Sequence, residues 1–268
     1  MVVAELGMET NIISLSETML SRPLPLSSRV AQRLRLAIVE RELEFGEPLI
    51  VDLIAEVLGV SRTPVRDAIK MLEFEGLVKS FPQRGTFVFV PSKDDIAQLS
   101  SFRLILESQC ANLALRREPG QTIEAMKVAD ADMEEAAAGG DMRAFARADA
   151  EFHGALSQHC GNTFLQDAVK RISGHVSALR AHVAMSDESL RLEGCKEHKS
   201  IIQLALSGKI DKLTTLLAQH VRSTEKSCLA AVAAGTLRST SAEYRTAEML
   251  RTKLGPRCDK AMGCFPAG

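Results

Sequence analysis

Residues 53–77, LIAEVLGVSRTPVRDAIKMLEFEGL, decide the fold. Val65, Ala68, Ile69 and Leu72 fall at i, i+3, i+4 and i+7, the spacing of one buried helix face. Arg62, Arg66 and Lys70 repeat every fourth residue and form a neighbouring exposed stripe, with Thr63 beside it. Ser61 stands where an N-cap belongs, and Pro64 sits in the first turn, where a missing N–H costs little. Gly76 closes this helix. Upstream, Val30, Leu34, Ala37 and Ile38 predict a first helix over about 27–44, broken by Gly46 and Pro48. A second helix is expected over about 49–58, ended by Gly59. Downstream, the apolar runs 77–80 and 86–90 flank Pro82-Gln83-Arg84-Gly85, a turn signature. The order is three helices and a hairpin.

A helix N-terminus that also projects guanidinium groups suits the DNA major groove. Its amides favour phosphate, and Arg pairs bidentately with guanine O6 and N7. Candidate DNA contacts are Ser61, Arg62, Thr63, Arg66 and Lys70 on the helix, and Arg84 and Gly85 at the hairpin turn. Three basic residues on one face equally describe an ordinary surface helix, so the pattern alone leaves both readings open.

The 268 residues suffice for two domains. With 33 Lys and Arg against 34 Asp and Glu, the net charge is −1, so any nucleic-acid surface must be local. No stretch is apolar enough for a membrane span, and the acidic N-terminus, with Glu5, Glu9 and Glu17, does not resemble a secretory signal. A cytoplasmic protein without membrane contact is expected. The six cysteines (Cys110, Cys160, Cys195, Cys228, Cys258, Cys264) form no CxxC pair and read as free thiols of a reducing compartment.

Residues 1–24 read as a flexible arm and 25–92 as one compact unit. From 93 to 234 the pattern is helical throughout, with breaks at Pro119-Gly120, Gly139-Gly140, Gly161-Asn162, Ser186-Asp187 and Gly208. Six helices joined by short connections make a bundle. Residues 235–268 read as a disordered tail or a poorly packed terminal helix. The expected fold is therefore mainly α: an N-terminal winged helix-turn-helix followed by an all-helical bundle.

Asp149 and His153 lie four apart on one bundle helix and share a face. His198 and His220 lie on two later helices. One carboxylate and three imidazoles from three helices suit Zn²⁺, with Ni²⁺ or Mn²⁺ as alternatives, and a bundle core is a natural place for such a site. The alternative is a surface Asp–His pair with unrelated distant histidines.

Residues 53–77, continued by Arg84-Gly85-Thr86, closely resemble the winged-helix signature of the GntR family of bacterial regulators. The resemblance implies that Arg62, Thr63 and Arg66 touch bases or phosphates and that Gly85 belongs to the wing tip. Asp52 departs from the polar or basic residue usual near that point. Asp149-Ala-Glu-Phe-His153 with Gly161-Asn162, Glu197-His198 with His220, and Phe102-Arg103 with Leu106-Glu107 resemble the signatures of the FCD ligand-binding domain, which defines the FadR-type branch. In metal-binding members the ligands are one Asp and three His, which implies Asp149, His153, His198 and His220 here. Lys209-Ile210-Asp211 departs from the usual Gly-Asp order, in a loop that leaves those four untouched.

Arg103 is the expected anchor for an effector carboxylate, with a surface pair to Glu107 as the alternative. His175 is a further candidate for the effector pocket. The expected function is ligand-responsive transcription regulation, by repression, from a homodimer on a palindromic operator, with a small organic acid (a sugar acid or a dicarboxylate) as effector. The first bundle helix, which starts at Asp94 and carries Arg103, is the expected lever between pocket and DNA unit. The rivals are a regulator that senses the metal itself and a metal-dependent hydrolase.

Overall fold

In α1 (Leu26–Val39) the four residues Val30, Leu34, Ala37 and Ile38 all face inward and are buried. The computed structural model describes residues 24–237 and Leu254. α1 stops at Val39, short of the expected residue 44. The amides of Glu42 and Leu43 both bond to the Ala37 carbonyl, at 2.8 and 2.9 Å, and Arg41 takes a left-handed φ of 59°. The turn carries Glu42 back beneath α1, where Arg33 donates to it at 2.6 Å. A buried charged pair replaces one further turn of helix.

α2 (Val51–Leu58) and α3 (Arg62–Phe74) meet at Gly59, whose φ of 63° is cheap only for a residue without Cβ. Val65, Ala68, Ile69 and Leu72 are buried, as their spacing requires. Ser61 holds the N-cap position, but its side chain makes no capping bond. The reason is local: Pro64 occupies the third helical position and has no N–H to offer. β1 (Val78–Phe81) and β2 (Gly85–Val88) pair antiparallel, Val78 opposite Val88 and Phe81 opposite Gly85. Pro48 bridges to Phe87 on the free edge.

Pro91 and Ser92 lead directly into α4 (Lys93–Arg117). Ser92 Oγ accepts from the Asp95 amide, and the Asp95 carboxylate accepts from the Ser92 amide, so the junction is pinned by a capping box. Then follow α5 (Pro119–Ala138), α6 (Met142–Gln158), α7 (Thr163–Ser186), α8 (Glu188–Leu206) and α9 (Ile210–Ala233). These lie within a few residues of the expected spans. The described residues thus form nine helices and one two-stranded sheet.

Two apolar cores hold the chain. One lies inside the bundle around Phe152, Leu156, Ile201 and Leu217. The other fills the three-helix unit and continues into the bundle through Ile96 of α4, Leu179 of α7 and Cys228 of α9. α7 and the base of the hairpin are in close contact: a Cβ on Gly174 would lie 2.8 Å from Leu77 Cδ1. Leu237 and Leu254 also belong to this core. Residues 238–253 and 255–268, with Cys258 and Cys264, lie outside the described residues, as does the arm except Leu24. Cys110, Cys160, Cys195 and Cys228 are free. No described helix is long and apolar enough to cross a membrane.

Candidate functional site

α6, α8 and α9 bring His153, His198 and His220 together, although 67 positions separate the first from the last by residue number (220 minus 153). One nitrogen of each ring lies within 4.8 Å of the others, and all three side chains are buried. Asp149, one turn before His153, places Oδ1 3.9 Å from His153 Nε2 and 3.8 Å from His198 Nε2. The four ligands expected from the sequence therefore converge.

Two carboxylates hold the outer edges of the rings. Glu107 Oε2 lies 3.0 Å from His153 Nδ1, and Glu197 Oε2 lies 2.7 Å from His220 Nδ1. A carboxylate only accepts, so each Nδ1 donates; His153 Nε2 lies 3.3 Å from the Arg103 Nη2 donor. His220 Nε2 and both His198 nitrogens are buried with no hydrogen-bond partner. Burial, reinforced by the charge of Arg180, pushes the His153 pKa down to about 3. Burial and the neighbouring imidazoles hold His198 well below the usual range. Burial works against the Glu107 carboxylate, but Arg103 and His153 outweigh it and hold its pKa well below normal. Three buried imidazoles beside a carboxylate, with unpartnered nitrogens on His198 and His220, are a donor set that fits a divalent cation.

A cavity of about 70 Å³ opens beside this cluster, lined among others by Asp149, Arg180, His198, His220 and Thr224. Two arginines, Arg180 and Arg191, line this cavity, and Arg180 is the one set against Asp149. Its Nε lies 3.0 Å from Asp149 Oδ2, and its Nη1 is buried without a hydrogen-bond partner. Sequence reasoning passed over it. The available signal was a charge set in an apolar stripe, with Val176 four residues before it and Val183 three after.

Arg103 is placed otherwise than expected. It is 3% exposed, its Nε donates to Glu107 at 2.6 Å, and its Nη2 lies 3.3–3.4 Å from both nitrogens of His153. It backs the histidine cluster and is absent from the cavity lining, and its pair with Glu107 is buried rather than superficial. His175 is also elsewhere. It stacks edge-on against Phe89 at 4.6 Å and packs on Gly76, between the hairpin unit and α7. Five residues before Arg180, it lies about 140° around the helix, which turns it from the cavity.

On α3, Ser61, Arg62, Thr63, Arg66 and Lys70 are all exposed along one side, and Arg84 and Gly85 are exposed at the hairpin tip. Arg62 Nε lies 2.8 Å from Asp52 Oδ1, with both side chains mostly exposed. Asp52 therefore steers Arg62 from α2 and is not a phosphate contact. Gln83, with φ 61°, makes the hairpin turn.

Two family models match this arrangement. "Bacterial regulatory proteins, gntR family" matches residues 26–88, and "FCD domain" matches residues 98–223. The chain belongs to the GntR family. It is a DNA-binding transcription regulator of a family of regulators, not enzymes, with an FCD domain behind its winged helix. The "Probable D-xylose utilization operon transcriptional repressor" of Paenarthrobacter nicotinovorans is 29% identical over 196 residues, 73% of this chain and 85% of that protein. LutR of Bacillus subtilis is 26% identical over 208 residues, 69% of this chain and 92% of that one. A solved structure titled "a putative transcriptional regulator GntR from Rhodococcus sp. RHA1" superposes with a TM-score of 0.67 at 25% identity, over 76% of this chain and 98% of that one. The histidine cluster and Arg180 lie within the FCD match, and the basic face of α3 lies within the GntR match.

Proposed function

We propose that this GntR regulator is a repressor whose operator binding is controlled by a small organic acid held at a divalent cation in the FCD pocket. The observation that carries the reading is the set of inward-facing nitrogens of His153, His198 and His220, buried beside Asp149, those of His198 and His220 including unpartnered ones. Those four residues would hold Zn²⁺, Ni²⁺ or Mn²⁺, and the cation would supply a positive point for a carboxylate oxygen. Arg180, through its unpartnered Nη1, takes the anchoring role first expected of Arg103, and Arg103 acts behind His153 through Glu107. A cavity of about 70 Å³ suits a short acid, a sugar acid or a dicarboxylate, better than a large ligand. Ser61, Arg62, Thr63, Arg66 and Lys70 read the major groove and Arg84 and Gly85 the backbone, from a cytoplasmic homodimer on a palindromic operator. The name of the P. nicotinovorans relative supports repression.

Elemental analysis of purified protein, with chelated and reconstituted samples, tests the site. About one divalent ion per chain is expected, with occupancy falling sharply in His198→Ala and His220→Ala. No metal in the reconstituted wild type sinks the cation. Operator titrations with Zn²⁺ alone, and with Zn²⁺ plus organic acids, separate acid control from a metal signal: an operator affinity that follows Zn²⁺ and ignores every acid overturns the acid.

A further inference from the structure

Between α1 and α2 the side chains of Glu40, Glu42 and Glu47 are buried. Buried carboxylates need partners. Glu42 accepts from Arg33 of α1 at 2.6 Å and faces Arg143 of α6 at 3.1 Å. Glu40 accepts from Arg147 of α6 at 2.5 Å. Arg143 and Arg147 are one turn apart, so one face of α6 grips this segment from two successive turns. The segment also touches α7: Arg41 donates to Ser186 Oγ at 3.4 Å, and the Phe45 ring lies 5.7 Å from His182.

The same two helices build the pocket. Asp149 follows Arg147 by two residues, and Arg180 precedes His182 by two. Asp149 and Arg180 face each other at 3.0 Å across α6 and α7. On the other side, α1 is locked to α3, the DNA-reading helix: Arg35 donates to both carboxylate oxygens of Glu75, just after α3, at 2.8 and 2.6 Å. Three sets of charged contacts, joined by the helices α6 and α1 that carry them, thus lie between the pocket and the DNA-reading unit.

We propose that Arg143 and Arg147 are positioning residues that couple the pocket to DNA: through Glu42 and Glu40 they seat the 40–47 segment, and with it α1 and α3, on the helix that carries Asp149 and His153. The proposal rests on the pocket reading given above. It puts the lever in α6, which touches the DNA-reading unit only through side chains, rather than in α4, which is joined to it by the chain. A ligand that draws on Asp149 and Arg180 re-sets α6 against α7, and the two arginines carry that movement into the segment they hold.

Hydrogen exchange on the full chain tests this with Zn²⁺ alone as the probe. In the wild type, Zn²⁺ is expected to slow amide exchange both in the pocket helices α6 and α8 and in α3. In Arg147→Met and in the double variant Arg143→Met/Arg147→Met, pocket slowing persists at the same Zn²⁺ concentrations, while the α3 response falls about fivefold or more. Arg147→Lys, which keeps the charge, restores it. Glu40→Gln, which keeps the shape of the buried side, is the second variant, with the same expected loss. An α3 response of wild-type size in the Met and Gln variants overturns the coupling, as does a wild type that slows in the pocket and nowhere in α3. No slowing anywhere overturns the pocket reading itself, and the coupling with it.

Discussion

Arg66 and Glu107 act by opposite means. Arg66 is exposed beside the buried Val65, so its removal leaves the core intact. Arg66→Ala is expected to weaken specific operator binding by about 1–3 kcal/mol with unchanged melting, and a folded variant of full affinity removes Arg66 from the reading face. Glu107 touches no ligand but fixes His153 by its Nδ1. Glu107→Gln is expected to lower cation affinity about 10–100-fold with all four ligands in place. Isothermal titration with Zn²⁺ measures it, and wild-type affinity refutes the tautomer argument. Asp149, His153, His198 and His220 were legible in the sequence because histidine is scarce and the first two share a helix face. Arg180 and Glu197 were not, because their roles depend on which faces of α7 and α8 meet α6 and α9, and no spacing within one helix encodes that. Arg103 shows the same limit: its i, i+4 pairing with Glu107 was legible, but the burial of that pair against His153 inside the bundle was not.

The helices were legible wherever an apolar stripe ended in glycine or proline. They were misjudged where charge overrode the stripe, as at 40–44, where the Arg33–Glu42 pair ends α1 early. Gly59 carries its turn by backbone alone, because nothing lies within 4 Å of a Cβ placed there. Gly59→Ala is therefore expected to cost about 1–2 kcal/mol, the penalty of left-handed backbone, with no steric addition. Chemical denaturation measures it, and a loss well above that range points to a contact the geometry lacks. His182, on α7, is buried at the junction with both ring nitrogens unpartnered. Burial, aided by Arg41, takes its pKa down to about 4. Since the unfolded imidazole titrates near 6.5, the unfolded chain binds a proton that the folded chain refuses below that pH. Stability from this residue is complete above about pH 6.5 and is lost towards pH 4, by about 1.4 kcal/mol per pH unit. His182→Leu is expected to remove that slope and raise the melting temperature, since it deletes two unsatisfied polar atoms. A variant with the wild-type acid slope places the titration elsewhere.

At the scale of the whole molecule, binding at the pocket and stability of the chain are linked. Zn²⁺ at 100 times its dissociation constant is expected to add about 2.7 kcal/mol to unfolding, and chelation to remove it, as thermal melts across a Zn²⁺ series would show. A melting temperature indifferent to Zn²⁺ in protein that binds it means the unfolded chain binds equally well. The two-domain plan was legible, because periodicity changes at Pro91. The continuity between the domains was not: Ile96, Leu179 and Cys228 extend the winged-helix core into the bundle, and such contacts join residues far apart in the chain. Leu254 takes this to its limit, sharing one apolar core with Val30 and Leu34 near the other end. During synthesis from the N-terminus, the DNA-reading unit emerges first and waits for the Leu254 side chain until all six bundle helices have been made. A ribosome that stops shortly before codon 254 releases a chain with α1 to α9 complete and the Leu254 side chain missing from that core, a product whose flaw is one of packing alone.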